Sequence, residues 1–157
     1  MHKMTKLSFD TYQSPIGKLV LVGDSNGLQR IQFECTSDIK NHWQPCNQFF
    51  ESVKLQLDEY FSKKRTSFNL KLNPHGTTFQ KQVWKRLQCI AYGKTKYYAE
   101  IAEEINNPKA ARAIGMANNK NPIPIIIPCH RVIGKNGHLT GFAGGLSVKQ
   151  QLLDLEK

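Results

Sequence analysis

No run of about 18 apolar residues occurs in this sequence, so nothing in it reads as a transmembrane helix. The opening MHKMTKLSF has neither an apolar core nor a small-residue cleavage site, and the expectation is an unexported protein, cytoplasmic, or nuclear in a eukaryotic source. Cysteine is scarce: four residues, at 35, 46, 89 and 129, with no CxxC, argue against a disulfide framework and for reduced thiols. Acidic residues are few as well, 12 against 22 lysines and arginines, for a net charge of +10. That excess suggests a polyanionic partner, nucleic acid before membrane, because no strongly basic amphipathic helix appears. Repeats and low-complexity segments are absent. With 39% hydrophobic and 22% charged residues the chain is no disordered segment, and 157 residues suffice for one substantial domain or two small lobes.

What is present reads as α+β, with a small N-terminal α/β lobe carrying a sheet over 1–73 and a mainly helical C-terminal lobe over 74–157. Lys18–Val22 and Leu28–Phe33, separated by GDSNG, read as a hairpin. Phe50, Val53, Leu57, Tyr60 and Phe61 form a helical stripe; Phe68, Leu70 and Leu72 alternate like a strand; NPHG is the linker. Thr77 and Gln80 make a capping box for a helix bearing Phe79, Val83, Leu87 and Ile90, which Gly93 ends. Two short helices, Tyr98–Ile105 and Lys109–Asn119, flank INNP, where Asn adopts the left-handed conformation and Pro108 sits in a first helical turn. This is a helix-turn-helix outline.

The second of those helices carries Lys109, Arg112, Met116 and Asn119 along one stripe, while Ala110, Ala111, Ala113, Gly115 and Ala117 keep it slim enough to approach a groove. Pro122, Pro124 and Pro128 then exclude a regular helix or central strand, leaving a buried irregular connection. Residues 131–134 and 138–141 around LysAsnGly read as a short hairpin, and a last helix begins after Gly145 with a capping box of Ser147 and Gln150. Its apolar stripe is Val148, Leu152 and Leu155, with Glu156 at the edge.

Cys129 stands beside His130 at the end of the proline-flanked apolar run. A lone buried cysteine is ordinarily inert, and neighbouring side chains usually diverge, so a bridging water is one way for the pair to communicate. Glu156 is either a frayed terminal residue or a partner for the imidazole. In the second case it accepts from one ring nitrogen and leaves the other to take a proton from the thiol.

Asn121-Pro122, the run Pro124–Pro128, Cys129-His130-Arg131-Val132, Gly141-Phe142 and Gly144-Gly145-Leu146 together resemble the active-site signature of the O6-alkylguanine-DNA alkyltransferases, or methylated-DNA–protein-cysteine methyltransferases. The resemblance runs from about Phe79 to Glu156 and includes AsnProLysAlaAlaArgAlaIleGly at 107–115; the N-terminal lobe resembles the family's ribonuclease H-like half in outline.

The resemblance implies direct-reversal DNA repair in which Cys129 takes the alkyl group from O6 of guanine, irreversibly and once per chain, with O4-alkylthymine as a second substrate. It assigns His130 as general base through a water, Glu156 as its orienting partner, Asn121 as the residue holding the cysteine loop, and Tyr98 as the hydroxyl near the leaving guanine and its 3′ phosphate. Arg112 fills the gap left by a base flipped out of the duplex, and Lys109, Ala110 and Ala111 lie with Tyr98 against the DNA. Phe142, Pro124, Ile127 and Gly144 line the base pocket. No cofactor, membrane or obligate protein partner is implied; the partner is double-stranded DNA, and the state is monomeric.

Two positions depart from the family: Phe142 where Tyr is common, and Tyr97, beside Tyr98, where a small hydroxyl residue is common. A zinc site from Cys35, His42 and Cys46 is disfavoured by poor spacing and the lack of a fourth ligand. Two other classes compete. A DNA-binding module that recognises alkylated bases without repair would lack Cys129, and a Cys-His hydrolase would need an oxyanion hole and turnover.

Overall fold

A computed structural model describes residues 7–33, 43–46 and 48–157. The chain divides into two compact units, Met1–Pro74 and His75–Lys157. No described helix is long and apolar enough to cross a membrane. Cys35 and His42, named above for a zinc site, lie outside the described residues.

In the first unit, strands β1 (Ser8–Ser14), β2 (Gly17–Asp24) and β3 (Gly27–Phe33) pair antiparallel, and the short β4 (Gln44–Pro45) pairs in parallel with β1, for the order β3-β2-β1-β4. The expected hairpin is β2–β3. Leu19, Val20, Leu21 and Val22 are all fully buried, so this central strand is covered on both faces. Val20 and Val22 pack with Trp43, Leu7 and Phe9 on one of them. Helix α1 (Glu51–Phe61) buries the predicted stripe of Val53, Leu57 and Tyr60, with Phe50 just before it.

The alternation of Phe68, Leu70 and Leu72 does not make a strand. Only Leu72 bridges to the sheet, beside Leu28. The backbone of Asn69 is taken instead by a side chain: its N–H donates to Gln56 Oε1 at 2.9 Å and its carbonyl accepts from Gln56 Nε2 at 3.0 Å. A buried glutamine does there what a neighbouring strand would do.

The second unit opens with α2 (Thr78–Leu87), whose capping box is present: Gln80 N–H donates to Thr77 Oγ1 at 3.1 Å and Thr77 N–H to Gln80 Oε1 at 2.9 Å. The helix ends at Leu87, well before Gly93, which has φ +76° in a later turn. Trp84 Nε1 donates to the Ala117 carbonyl at 2.8 Å and so fastens α2 to the second helix of the helix-turn-helix. That pair is α3 (Tyr98–Glu104) and α4 (Ala111–Asn119). Asn106 takes the expected left-handed turn at φ 59°. Pro108 and Lys109 lie ahead of α4 rather than in its first turn, because Ala110 N–H closes a tight turn onto the Asn107 carbonyl at 2.9 Å.

The hairpin expected at 131–141 is replaced by another pairing. Short β5 (Lys96–Tyr97) and β6 (Val132–Ile133) pair in parallel, Lys96 with Val132 and Tyr97 with Ile133. This ladder places the start of α3 next to the end of the cysteine segment. The last helix, α5 (Leu146–Leu155), follows Gly145 without a side-chain cap, so Ser147 and Gln150 form no capping box. Its deeply buried face is Lys149, Leu152 and Glu156, while Val148 and Leu155 are only half-buried.

Candidate active site

The segment from Asn121 to Pro128 is buried and irregular, as three prolines require. Asn121 clasps it at both ends: Oδ1 accepts from Ile123 N–H at 3.0 Å and Nδ2 donates to the Ile127 carbonyl at 2.7 Å. Within the clasp Ile125 has φ +75°. A β-branched residue there costs about 1–3 kcal/mol, so the surroundings impose this conformation. Ile127 and Pro124 are buried in the unit, and Phe142 and Gly144 are half-buried in the loop before α5.

A tight turn over Cys129–Arg131 follows, with Cys129 N–H on the Ile127 carbonyl at 2.7 Å. The thiol is almost inaccessible, 4% for the whole residue. Burial pushes it up to about 11; the Asn121 amide, the positive charge of Lys149 and the N–H groups of Cys129 and His130 pull the other way. The influence of these groups favours the charged sulfur, which is what a thiolate formed in place needs.

His130 is completely buried, and its Nε2 lies 2.7 Å from Glu156 Oε2. Burial holds the imidazole below its ordinary value against the pull of Glu156, so the ring is neutral near pH 7. An ionised carboxylate only accepts, which places the ring proton on Nε2 and the lone pair on Nδ1. His130 Nδ1 is buried and has no hydrogen-bond partner. The ring therefore keeps a free basic nitrogen inside the unit.

Glu156 is no frayed end. Its side chain is 1% exposed, and Arg131 grips it with Nε on Oε1 at 2.8 Å and Nη2 on Oε2 at 3.0 Å. Gly93 N–H adds a contact to Oε1 at 3.3 Å. Arg131 is held in turn by the Ile90 carbonyl at 2.7 Å and lies over the Tyr92 ring at 5.8 Å. The carboxylate is thus oriented and paired with a cation in one arrangement.

Two functional residues escaped the sequence reading: Arg131 and Lys149. Lys149 is fully buried and donates Nζ to the carbonyls of Val132 at 2.7 Å and Thr140 at 3.1 Å. Burial lowers its ordinary value and the Cys129 charge raises it. Seven residues separate Lys149 from Glu156, two helical turns, so both face inward from one side of α5. Only that spacing hinted at it, since a lysine at a helix start normally reads as solvated.

Tyr98, first residue of α3, hydrogen-bonds through its hydroxyl to Thr140 Oγ1. Burial is the main reason its hydroxyl sits above the ordinary value, against hydrogen bonds from Thr140 and Asn118. Asn118 Nδ2 also donates to the Cys129 carbonyl at 3.3 Å. Asn118 thus holds the backbone of Cys129 and also acts on the Tyr98 hydroxyl. On α4, Gly115 faces the Tyr98 ring, where an added Cβ would stand 3.8 Å from Cε1.

Arg112, Met116 and Asn119 are exposed on α4, with Lys109 exposed just ahead of it. Ala110 is 9% exposed, and Ala111 is half-buried. Ala110 offers no side-chain cap, so the first N–H groups of α4 remain open toward an anion.

Comparison with known proteins bears on what this arrangement is. Residues 78–157 match the 6-O-methylguanine DNA methyltransferase DNA-binding domain, and residues 7–74 match that family's ribonuclease-like domain. The chain belongs to the 6-O-methylguanine DNA methyltransferase family. A methylated-DNA–protein-cysteine methyltransferase of Methanosarcina acetivorans is 50% identical over 148 residues, 92% of this chain and 95% of the relative. The Mycobacterium tuberculosis O6-methylguanine methyltransferase crystal structure superposes with a TM-score of 0.91 at 45% identity, covering 96% of this chain and 93% of that one. A structure of the Mycobacterium tuberculosis OGT in complex with DNA aligns with a TM-score of 0.90 at 46% identity, covering 96% and 92%. For a family member, a buried cysteine beside a neutral imidazole and an exposed arginine on a slim helix sit in one 83-residue unit, His75–Lys157.

Proposed function

We propose that this chain repairs DNA by direct reversal, transferring the alkyl group of O6-alkylguanine to Cys129 and restoring guanine. The observation that carries the reading is the free Nδ1 of a buried, neutral His130 whose other nitrogen is fixed on Glu156. It is a base with no proton and no competing partner, one residue from the thiol.

The reaction is an in-line displacement at saturated carbon. The thiol proton passes through a water to His130 Nδ1, since the side chains of neighbouring residues usually point apart. The sulfur then forms a bond to the alkyl carbon as the carbon–O6 bond breaks, and the electron pair moves onto the purine. In the net reaction the restored guanine gains the proton that the thiol loses. Asn121, Lys149 and the local N–H groups support the charge on sulfur, while Tyr98, which holds its proton, donates a hydrogen bond to the departing purine. A thioether carbon offers water no easy attack, so the chain acts once. No cofactor enters this scheme.

The alkylated base is stacked inside a duplex and must be turned out. Arg112 is exposed on α4, the slim helix that suits the minor groove, and takes the place of the extruded base. Lys109 and the uncapped N–H groups at the start of α4, from Ala111 on, hold phosphate, giving binding that weakens as salt rises. Phe142, Gly144, Pro124 and Ile127 belong to the wall and support of the base pocket, and the chain acts as a monomer. O4-alkylthymine presents the same leaving oxygen and is a second substrate. Incubation with a fluorescent O6-benzylguanine tests the core of this: one covalent label per chain, on Cys129, is expected, and repeated turnover or a label on another residue overturns it.

A further inference from the structure

Thr140 occupies a junction that the mechanism above leaves unexplained. Its side-chain oxygen bonds the Tyr98 hydroxyl, and its main-chain carbonyl accepts from the buried Lys149 ammonium at 3.1 Å. One half-buried residue thus touches both the phenol assigned to the leaving purine and the buried cation whose charge favours the Cys129 thiolate. The carbonyl contact fixes the backbone of Thr140, so its hydroxyl is held in place and not left to wander with the loop. Gly134 crowds the other side, where an added Cβ would lie 3.2 Å from Thr140 Cγ2. The threonine methyl is packed and the hydroxyl is directed.

We propose that Thr140 is a positioning residue for alkyl transfer, donating a hydrogen bond to the Tyr98 oxygen so that the Tyr98 proton is aimed at the leaving purine. This rests on the assignment of Tyr98 above. A hydroxyl either donates or accepts by rotating its proton, and no atom of the pair has to move when substrate arrives. Once the purine lone pair takes the Tyr98 proton in a hydrogen bond, the phenol oxygen is left to accept, and Thr140 is the donor already in reach. In the resulting chain, Thr140 to Tyr98 to purine, each bond polarises the next and strengthens as negative charge grows on the leaving group. Asn118, which pulls the Tyr98 hydroxyl in the same direction as Thr140, donates to the Cys129 carbonyl at 3.3 Å.

The test uses five proteins: wild type, Thr140→Val, Thr140→Ser, Tyr98→Phe, and the Val variant made in the Phe background. Valine keeps the shape of threonine and removes only the hydroxyl. Single-turnover alkyl transfer is measured on O6-benzylguanine and on the same base with nitrogen in place of C8, whose electron-poor ring leaves more readily. Thr140→Val is expected to slow the first substrate up to about tenfold, the upper worth of one neutral hydrogen bond. The deficit should shrink on the electron-poor base, Thr140→Ser should restore the rate, and Thr140→Val should add nothing once Tyr98 is Phe. Equal losses on both substrates, failure of serine to rescue, or a full additional loss in the Phe background overturns the proposal. A slow Tyr98→Phe with a fast Thr140→Val removes Thr140 alone; a Tyr98→Phe protein at wild-type rate removes both assignments.

Discussion

Arg131 and Glu156 form a two-pronged ion pair inside the second unit, with side chains 8% and 1% exposed and two N···O contacts of 2.8 and 3.0 Å. The pair neutralises the carboxylate that orients His130. Removing the guanidinium leaves a buried anion without its counter-ion, and Arg131→Met should lower the unfolding free energy by about 3–5 kcal/mol. Urea unfolding of the two proteins measures this. A change within error would mean that Glu156 finds water or another cation on losing Arg131.

Glu156→Gln should slow alkyl transfer about tenfold to a hundredfold at neutral pH, because the imidazole loses the partner that supports its basicity. Simple thiol chemistry would place recovery of the rate near the ordinary cysteine range. Burial pushes Cys129 up to about 11, so the deficit should persist through mildly alkaline pH and narrow only as that value is approached. The variant also leaves Arg131 with half a partner and should melt earlier, so rates must be taken well below its transition. A pH–rate profile coincident with wild type would remove Glu156 from the site.

Lys149→Met keeps the length of the buried stem and deletes the ammonium. The carbonyls of Val132 and Thr140 lose their shared donor, at a cost of about 1–3 kcal/mol, and the thiolate loses a cation that favours it. Slower transfer is expected on free O6-benzylguanine and on duplex alike, since the defect lies at the sulfur and not at the DNA. Wild-type rates in a folded Lys149→Met protein would confine the lysine to holding the loop.

Arg112→Ala separates the other half of the problem. Arg112 is exposed on α4, away from the buried relay, and should matter only where a base must leave a duplex. Rates on duplex O6-methylguanine should fall far more than rates on free O6-benzylguanine. Equal losses on both would argue against a role in base extrusion.

Much of this was legible in the amino-acid order. Capping residues Thr77 and Gln80, the left-handed Asn106, the α1 stripe and the β2–β3 hairpin obey local rules, and local rules were enough to find them. Cys129 and His130 stood out because a thiol next to an imidazole is chemically unusual. Several of the failures share a cause. Phe68–Leu72 alternates as a strand should, but the Gln56 side chain occupies the hydrogen bonds a strand would make. Residues 131–141 look like a hairpin, yet Val132 and Ile133 pair with distant Lys96 and Tyr97. Lys149 and Arg131 resemble surface cations until the fold supplies carbonyls and a carboxylate around them. Each is decided by partners far away in the chain, which periodicity does not register.

The central claim is that Cys129 takes the alkyl group, once, from guanine in DNA. A duplex bearing one O6-methylguanine with an isotopically labelled methyl, incubated with excess substrate and followed by peptide mapping, tests it most directly. The account predicts one labelled methyl per chain, all of it on Cys129, an equal amount of restored guanine in the duplex, and no transfer by Cys129→Ala. Label on Cys35, Cys46 or Cys89, release of methanol, or more than one guanine restored per chain would contradict it.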